Sequence, residues 1–352
     1  MADNQDKKVL NVPALRFPEF SGEWDEYAIG EILSIGNGRD YKHLHNGDIP
    51  VFGTGGYMTS VDDFLYDGES VFVGRKGTIN KPLYYNGKFW TVDTLFYTYN
   101  FTDVLPKFVY CLFQTINWLK YNEASGVPSL SKATIEKIKV RIPSMDEQDK
   151  LSNLLFLLDK RIEVQNKIIE KLETLIKGII ETVISLQKPN TFIKDCLECN
   201  SSILQESQVA EYGASPVYGA TGITGYTEAA DVNGESILII KDGSGVGTVK
   251  YVTGEYSYIG TLNRLIAKDG YYLKYIYFAL QGFSFEPYKT GMAIPHIYFK
   301  DYGKAKIFCP TIEKQSAIAQ KLSSTEDKVS VEKQILFYYQ VQKSYLLSQM
   351  LI

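Results

Sequence analysis

The sequence repeats itself, and this constrains the fold more than any other feature of its 352 residues. Ile49-Pro50-Val51-Phe52-Gly53-Thr54-Gly55-Gly56 returns as Ser215-Pro216-Val217-Tyr218-Gly219-Ala220-Thr221-Gly222. Gly68-Glu69-Ser70-Val71 returns as Gly234-Glu235-Ser236-Ile237, and Val73-Gly74-Arg75-Lys76-Gly77-Thr78-Ile79 faces Lys241-Asp242-Gly243 through Gly245-Val246-Gly247-Thr248-Val249, with a small insertion. Val127-Pro128-Ser129 matches Ile294-Pro295-His296, and Pro143 leading to Glu147-Gln148 matches Pro310 leading to Lys314-Gln315. The offset is 166 residues for Pro50/Pro216 and Gly68/Gly234, and 167 for Pro128/Pro295, Pro143/Pro310 and Gln148/Gln315. So steady an offset marks a tandem duplication, hence two similar domains.

Each copy opens with strand material, in which Val, Ile, Tyr, Phe and Thr alternate with Gly-, Asn- and Asp-rich turns. Asn86-Gly87, flanked by Tyr84-Tyr85 and Phe89-Trp90, predicts a hairpin turn. Pro106 to Tyr121 predicts a helix, with proline at its tolerated first position. The class is α+β, a mixed sheet with small helices in each copy.

Each copy ends in a long helix. From Met145 to Gln187 a heptad seam runs through Leu151, Leu154, Leu158, Ile162, Gln165, Ile169, Leu172, Ile176, Ile179, Val183 and Leu186, and Lys188-Pro189 stops it. From Thr311 to Ile352 the seam is Ile318, Leu322, Val329, Leu336, Leu346 and Met350, interrupted by polar Thr325 and Glu332. Each helix spans on the order of 60 Å at its full length. Neither can bury its stripe alone, so the expectation is an antiparallel coiled coil separating two domains related by a pseudo-twofold axis. The boundaries are 1–145 and 188–312 for the domains, 146–187 and 313–352 for the helices. A pseudo-twofold pair at fixed separation matches a split DNA site, whose half-sites lie a set number of base pairs apart.

Composition limits the alternatives. Hydrophobic residues make up 45% and charged residues 22%, as in a globular protein with a core. No apolar run reaches membrane length, and the polar stretch Met1 to Lys8 lacks the features of a secretory signal, so no membrane partner and a cytoplasmic location are expected. The four cysteines are then expected as thiols. Cys196 and Cys199 have the spacing of half a zinc site, for which Cys309 and His296 would have to complete the set; packed thiols and no metal are the reading adopted. The net charge of −4 is unusual for a nucleic-acid binder, so a partner would have to neutralise much of the phosphate charge.

The chain resembles the specificity subunits of type I restriction–modification systems. The residues that carry the resemblance are Leu15-Arg16-Phe17-Pro18-Glu19-Phe20 with Trp24, the Ile49–Gly56 block, Gly74-Arg75-Lys76-Gly77, Phe89-Trp90-Thr91-Val92-Asp93-Thr94 and Pro143 with Glu147-Gln148. The second half departs from it where Lys241-Asp242 replaces Arg75-Lys76 and where Asp93 is replaced near Gly260. The resemblance implies two target-recognition domains that each read half of a double-stranded DNA target. It also implies helices that fix the spacer and dock two methyltransferase subunits, with restriction subunits joining the full complex. No catalytic residue and no cofactor is expected in this chain. An adaptor that assembles partners without reading DNA, or a sugar- or peptide-binding module favoured by the 26 tyrosines, stands as the alternative.

Two glycine motifs could mislead. Phe52-Gly53-Thr54-Gly55-Gly56 resembles the turn that holds S-adenosylmethionine, but it recurs at Tyr218–Gly222, which one cofactor site would not require. Gly243-Ser244-Gly245-Val246-Gly247-Thr248 lacks the Gly-Lys-Ser/Thr ending of a phosphate loop and runs into strand-like residues. His43 and His45 are expected in exposed loops. Candidate DNA contacts in the first domain are Arg39, Tyr41, Lys42, Thr54, Tyr57, Arg75, Lys76, Thr78, Ser129, Ser131 and Lys132. In the second they are Tyr218, Thr221, Lys241, Ser244, Thr248, His296, Tyr298 and Lys300.

Overall fold

The computed structural model describes residues 11–352, so the polar stretch Met1 to Lys8 read above lies outside the described residues. The chain divides into two compact units, residues 1–166 with 335–352 (unit 1) and residues 167–334 (unit 2).

Unit 1 runs β1 (Asp25–Ala28), α1 (Ile29–Ile32), β2 (Ser34–Asn37), β3 (Asn46–Gly53), β4 (Gly56–Val61), β5 (Tyr66–Gly74), β6 (Leu83–Thr91), β7 (Leu95–Tyr99), α2 (Pro106–Thr115), α3 (Lys132–Glu136), β8 (Lys139–Ile142) and the start of α4 (Met145–Ile179). Six strands form a mixed sheet in the order β2-β7-β5-β6-β3-β4, and β1 pairs with β8. Val71-Phe72-Val73 of β5 is apolar at every position because both faces are covered. Val71 and Val73 join Phe108 and Val109 of α2, while Phe72 joins Phe52, Phe89 and Leu95.

Unit 2 repeats the order with β9 (Thr191–Phe192), α5 (Ile193–Cys196), β10 (Leu197–Ser201), β11 (Ser215–Gly219), β12 (Gly222–Thr227), β13 (Val232–Asn233), β14 (Ser236–Ile240), β15 (Val249–Val252), β16 (Glu255–Tyr258), β17 (Leu262–Ala267), α6 (Leu273–Gln281), α7 (Phe299–Tyr302), β18 (Lys306–Ile307) and the start of α8 (Ile312–Met350). Its strands form sheets ordered β10-β17-β14-β15 and β12-β11-β16-β13, with β9 paired to β18. β13 and β14 together correspond to β5, and β15 and β16 to β6.

That division corrects the hairpin expected at Asn86-Gly87. β6 runs unbroken through both residues, which face Glu69 and Gly68 of β5. Gly68 and Gly87 have φ of +142° and +129°, a conformation that costs glycine little, so the pair bends the ladder in mid-strand and does not reverse the chain. Their counterparts Gly234 and Gly254 are linked by an N–H···O bond of 2.9 Å, and there the bend interrupts the strands altogether. The expected helix Pro106–Tyr121 is also shorter. It stops at Thr115, and a separate 3₁₀ turn, Trp118–Tyr121, follows extended Ile116.

In each unit the two long helices contribute antiparallel segments. In unit 1, Leu151 and Leu155 share a core with Met350 and Leu351, Lys343 bonds Asp159, and the Arg161 guanidinium lies over Tyr339. In unit 2, Lys333 meets Glu173 at 2.7 Å, and Ile176, Ile180 and Ile184 share a core with Leu322 and Ala319. The expected seam fails at its end, because Val183 and Leu186 are exposed. A π-helical segment, Ile180–Ser185, follows α4, and its extra residue per turn moves the buried face onto Ile180 and Ile184.

One side chain fixes each long helix to its unit. The buried Gln148 amide accepts from Leu105 N at 2.8 Å and donates to the carbonyls of Pro143 (2.9 Å) and Asp103 (3.1 Å). Its counterpart Gln315 accepts from Tyr272 N at 2.9 Å and donates to Pro310 O at 2.8 Å. Leu105 and Tyr272 are the residues that precede α2 and α6. Arg16 adds a bidentate pair with buried Glu147 in unit 1, at 2.8 and 2.7 Å.

Candidate nucleic-acid interface

Backbone bonds tie the loop after β5 to the β6–β7 turn and to the loop before α3. Arg75 N donates to Thr94 O (2.8 Å), Gly77 N to Pro128 O (2.8 Å) and Leu130 N to Arg75 O (2.9 Å). Unit 2 repeats the clasp at the equivalent residues. Lys241 N donates to Thr261 O (3.0 Å), Gly243 N to Pro295 O (2.9 Å) and Ile297 N to Lys241 O (2.9 Å). Because amides and carbonyls carry it, the clasp is indifferent to the side chains it displays, and these differ between the units.

In unit 1 the clasp frames a cleft of about 630 Å³ lined by Arg75, Lys76, Asp93, Phe96, Ser129 and Lys132, among others. The exposed Arg75 guanidinium donates to Asp93 O at 3.2 Å and lies 6.0 Å from the Phe96 ring centre. Glu123 sits on the same wall and accepts from the Ser131 hydroxyl (2.8 Å) and from Thr134. These bonds hold its carboxyl below the usual carboxylate range, with the Thr134 bond the larger cause. The Ser131 hydroxyl is therefore committed to capping α3, where it also accepts from Thr134 N at 3.1 Å. Lys132 lies 3.6 Å from Glu136 one turn on.

Thr54 stands beside Gly77, and exposed Tyr57 at the β3–β4 tip bonds Ser60 at 3.1 Å, so this hairpin borders the clasp. Thr78 lies on the turn that returns over Gly74. Arg39 and Lys42 are exposed, and the Arg39 backbone is fixed by Trp90 Nε1 donating to its carbonyl at 2.8 Å. Tyr41 is half-buried against Val51, Val61 and Trp90. His43 and His45 are exposed, as expected.

In unit 2, Tyr218 and Thr221 share a small pocket of about 140 Å³ with Thr248 and Lys250. The Lys250 ammonium lies 4.6 Å from the Tyr218 ring centre, which adds a cation the sequence reading missed. Lys241 and Ser244 lie on the clasp loop. His296, Tyr298 and Lys300 form one cluster, with ring centres 5.0 Å apart and the Lys300 ammonium 5.1 Å from the Tyr298 ring centre. Of the cysteines, Cys196 and Cys309 are buried in one core, where the Cys196 thiol donates to Ile193 O at 3.3 Å, while half-buried Cys199 has its thiol pushed up to about 11, chiefly by burial. Among the described residues no group of His, Cys, Asp or Glu is placed to hold a metal ion.

The family profile described as the type I restriction modification DNA specificity domain matches the sequence twice, over residues 21–174 and 190–337. The chain belongs to that family. It is a specificity subunit with two DNA specificity domains in tandem, and each match takes in one clasp and the larger part of a long helix.

Solved structures share the fold. An S subunit of a type I restriction–modification system from M. genitalium superposes with a TM-score of 0.76 at 17% identity, covering 97% of this chain and 99% of that one. A chain from a study of complex assembly and conformational transition of the type I R-M system gives a TM-score of 0.54 at 12% identity, covering 93% and 96%. No curated protein matches the sequence. Among the described residues of the specificity subunit, no helix is long and apolar enough to cross a membrane.

Proposed function

We propose that unit 1 and unit 2 each read one half of a split DNA target, and that partner subunits of a type I restriction–modification complex carry out the chemistry. The clasp carries this reading, because one backbone frame occurs twice and displays Arg75-Lys76 with Ser129 in one unit and Lys241-Asp242 with His296 in the other. One frame with two sets of donors and acceptors fits two different half-sites. Arg75 is the forked donor suited to guanine, whereas Asp242 offers an acceptor suited to the cytosine amino group. Lys42, Lys76, Lys132, Lys250 and Lys300 would meet phosphates.

The recognition domains are residues 1–145 and 188–312. The helices 146–187 and 313–352 receive the methyltransferase subunits, and restriction subunits join the complete assembly. Leu157, Val164, Phe337, Val341 and Tyr345 are exposed on the helix segments of unit 1, an apolar display that a solvated helix face does not need. The complex acts in the cytoplasm, and the net charge of −4 fits partners that supply the cations against the phosphates.

The test is to reconstitute the subunit with its methyltransferase subunits and map the adenines they modify. A split motif is expected, and Arg75→Ala should relax one half alone and weaken binding by about 1–3 kcal/mol if Arg75 forks onto guanine. Modification without a sequence pattern, or an Arg75→Ala change that alters both halves, would overturn the assignment.

A further inference from the structure

The loop at Thr290–His296 in unit 2 shows solvent an apolar tip. Met292 is 106% exposed and Ile294 66%, with Ala293 exposed between them. The loop is not slack. Thr290 and His296 exchange both backbone bonds, at 2.9 and 2.8 Å, and the base of the loop is the unit 2 clasp. Gly291 holds φ of +87°, and a Cβ there would come within 2.5 Å of Ile294 O and 2.9 Å of His296 Nδ1, so the turn beneath the tip is tightly folded. A rigid loop that carries two large apolar side chains into water is disfavoured at about 25 cal/mol per Å², unless a partner covers them. The foot of the loop is polar: Asp242 bridges His296, Lys241 O accepts from Ile297 N, and the Lys300 ammonium lies over Tyr298 two residues beyond His296, so the apolar tip rises from the same donors and acceptors proposed above to read DNA.

The equivalent loop of unit 1, Glu123–Ser129, is closed by the Glu123 N–H···O bond to Ser129 at 3.0 Å but carries Ser125 and Gly126 where unit 2 has Met292 and Ala293. Val127, 56% exposed, stands where unit 2 has Ile294, so the apolar feature that unit 2 alone carries is Met292.

We propose that Met292 and Ile294 read a thymine C5-methyl group in the half-site bound by unit 2. This rests on the DNA-reading function proposed above. The methyl group is the apolar feature that distinguishes bases in the major groove. Wedging between base pairs would need a braced side chain, whereas Met292 has flexible bonds and no neighbour to brace it, which suits it to wrapping a methyl group.

The experiment starts from the mapped target of the reconstituted complex. Each thymine of the unit 2 half-site is replaced singly by deoxyuridine, and affinity is measured by competition. One position should lose about fourfold, the factor that one buried methyl group supplies. Met292→Ala, Met292→Gln and Ile294→Ala, all on an exposed loop, should bind thymine and uracil DNA alike at that position while still selecting the same target elsewhere. A half-site without thymine, no position sensitive to uracil, or variants as sensitive as the native subunit would overturn the proposal with the DNA-reading function intact. Modification without any sequence pattern would overturn both.

Discussion

Replacing Gln148 by methionine keeps the length of the side chain and removes every hydrogen-bonding group on it. Three bonds go, to Leu105 N, Pro143 O and Asp103 O. The Asp103 carbonyl belongs to an exposed residue and can turn to water, but Pro143 is buried and Leu105 partly so. Each buried group left without a partner costs about 1–3 kcal/mol, so unit 1 should lose about 2–4 kcal/mol. Gln315→Met removes two bonds and should cost unit 2 a similar amount. The two effects are separable because all three tryptophans, Trp24, Trp90 and Trp118, are buried in unit 1. Tryptophan fluorescence in urea therefore follows unit 1, and circular dichroism follows both. With a slope of about 2 kcal/mol per molar urea, Gln148→Met should lower the fluorescence midpoint by about 1–2 M. Gln315→Met should leave it in place while moving part of the dichroism transition. A Gln148→Met midpoint unchanged within about 0.2 M on that slope would refute the bracket role. Equal shifts of the fluorescence midpoint by both variants would refute the idea that each glutamine acts in its own unit.

Two further outcomes follow from unit 1. Arg16→Met leaves the buried Glu147 carboxylate without its partner and should cost about 3–5 kcal/mol, whereas Arg16→Met with Glu147→Leu should recover most of the loss; fluorescence-detected unfolding measures both. Burial pushes the Cys111 thiol up from 9 to about 12, so the folded state keeps the neutral form, and this contribution is complete below pH 9 and lost as pH rises toward 12. Unfolding midpoints should therefore fall across that window, and Cys111→Ala should fall less steeply.

The duplication was legible because its anchors are residues with little freedom to change. Prolines, glycines and one glutamine hold the same backbone positions in both units, so their spacing survives where sequence identity does not. The Asn86-Gly87 hairpin was misread because local turn chemistry says nothing of what lies opposite, and Gly68 across the ladder converts a reversal into a bend. The phase slip at Ile180 was invisible to a heptad count, since a π-helical segment has no composition of its own. Ser131 was a reasonable DNA donor in sequence, but its N-cap bond to Thr134 and its bond to Glu123 occupy the hydroxyl. Met292 and Ile294 were missed because an apolar residue in a chain is read as core until its exposure is known.

The two clasps also show how a reader can change its display without losing its frame. In unit 1 the loop returns so tightly that a Cβ on Gly74 would meet Thr78 O at 2.2 Å, so glycine is required there. Unit 2 has Ile240 at that place. The insertion in its loop lets Ile240 pair with the far side, donating to Thr248 O at 3.0 Å and accepting from Gly247 N at 2.9 Å, and the crowding disappears. Glycine is then needed elsewhere, at Gly247, where φ is +92° and a Cβ would meet Phe285 at 2.8 Å. The backbone bonds of the clasp survive the exchange, so loop length and the displayed side chains can vary on one frame, as a protein that must read different sequences in its two halves requires.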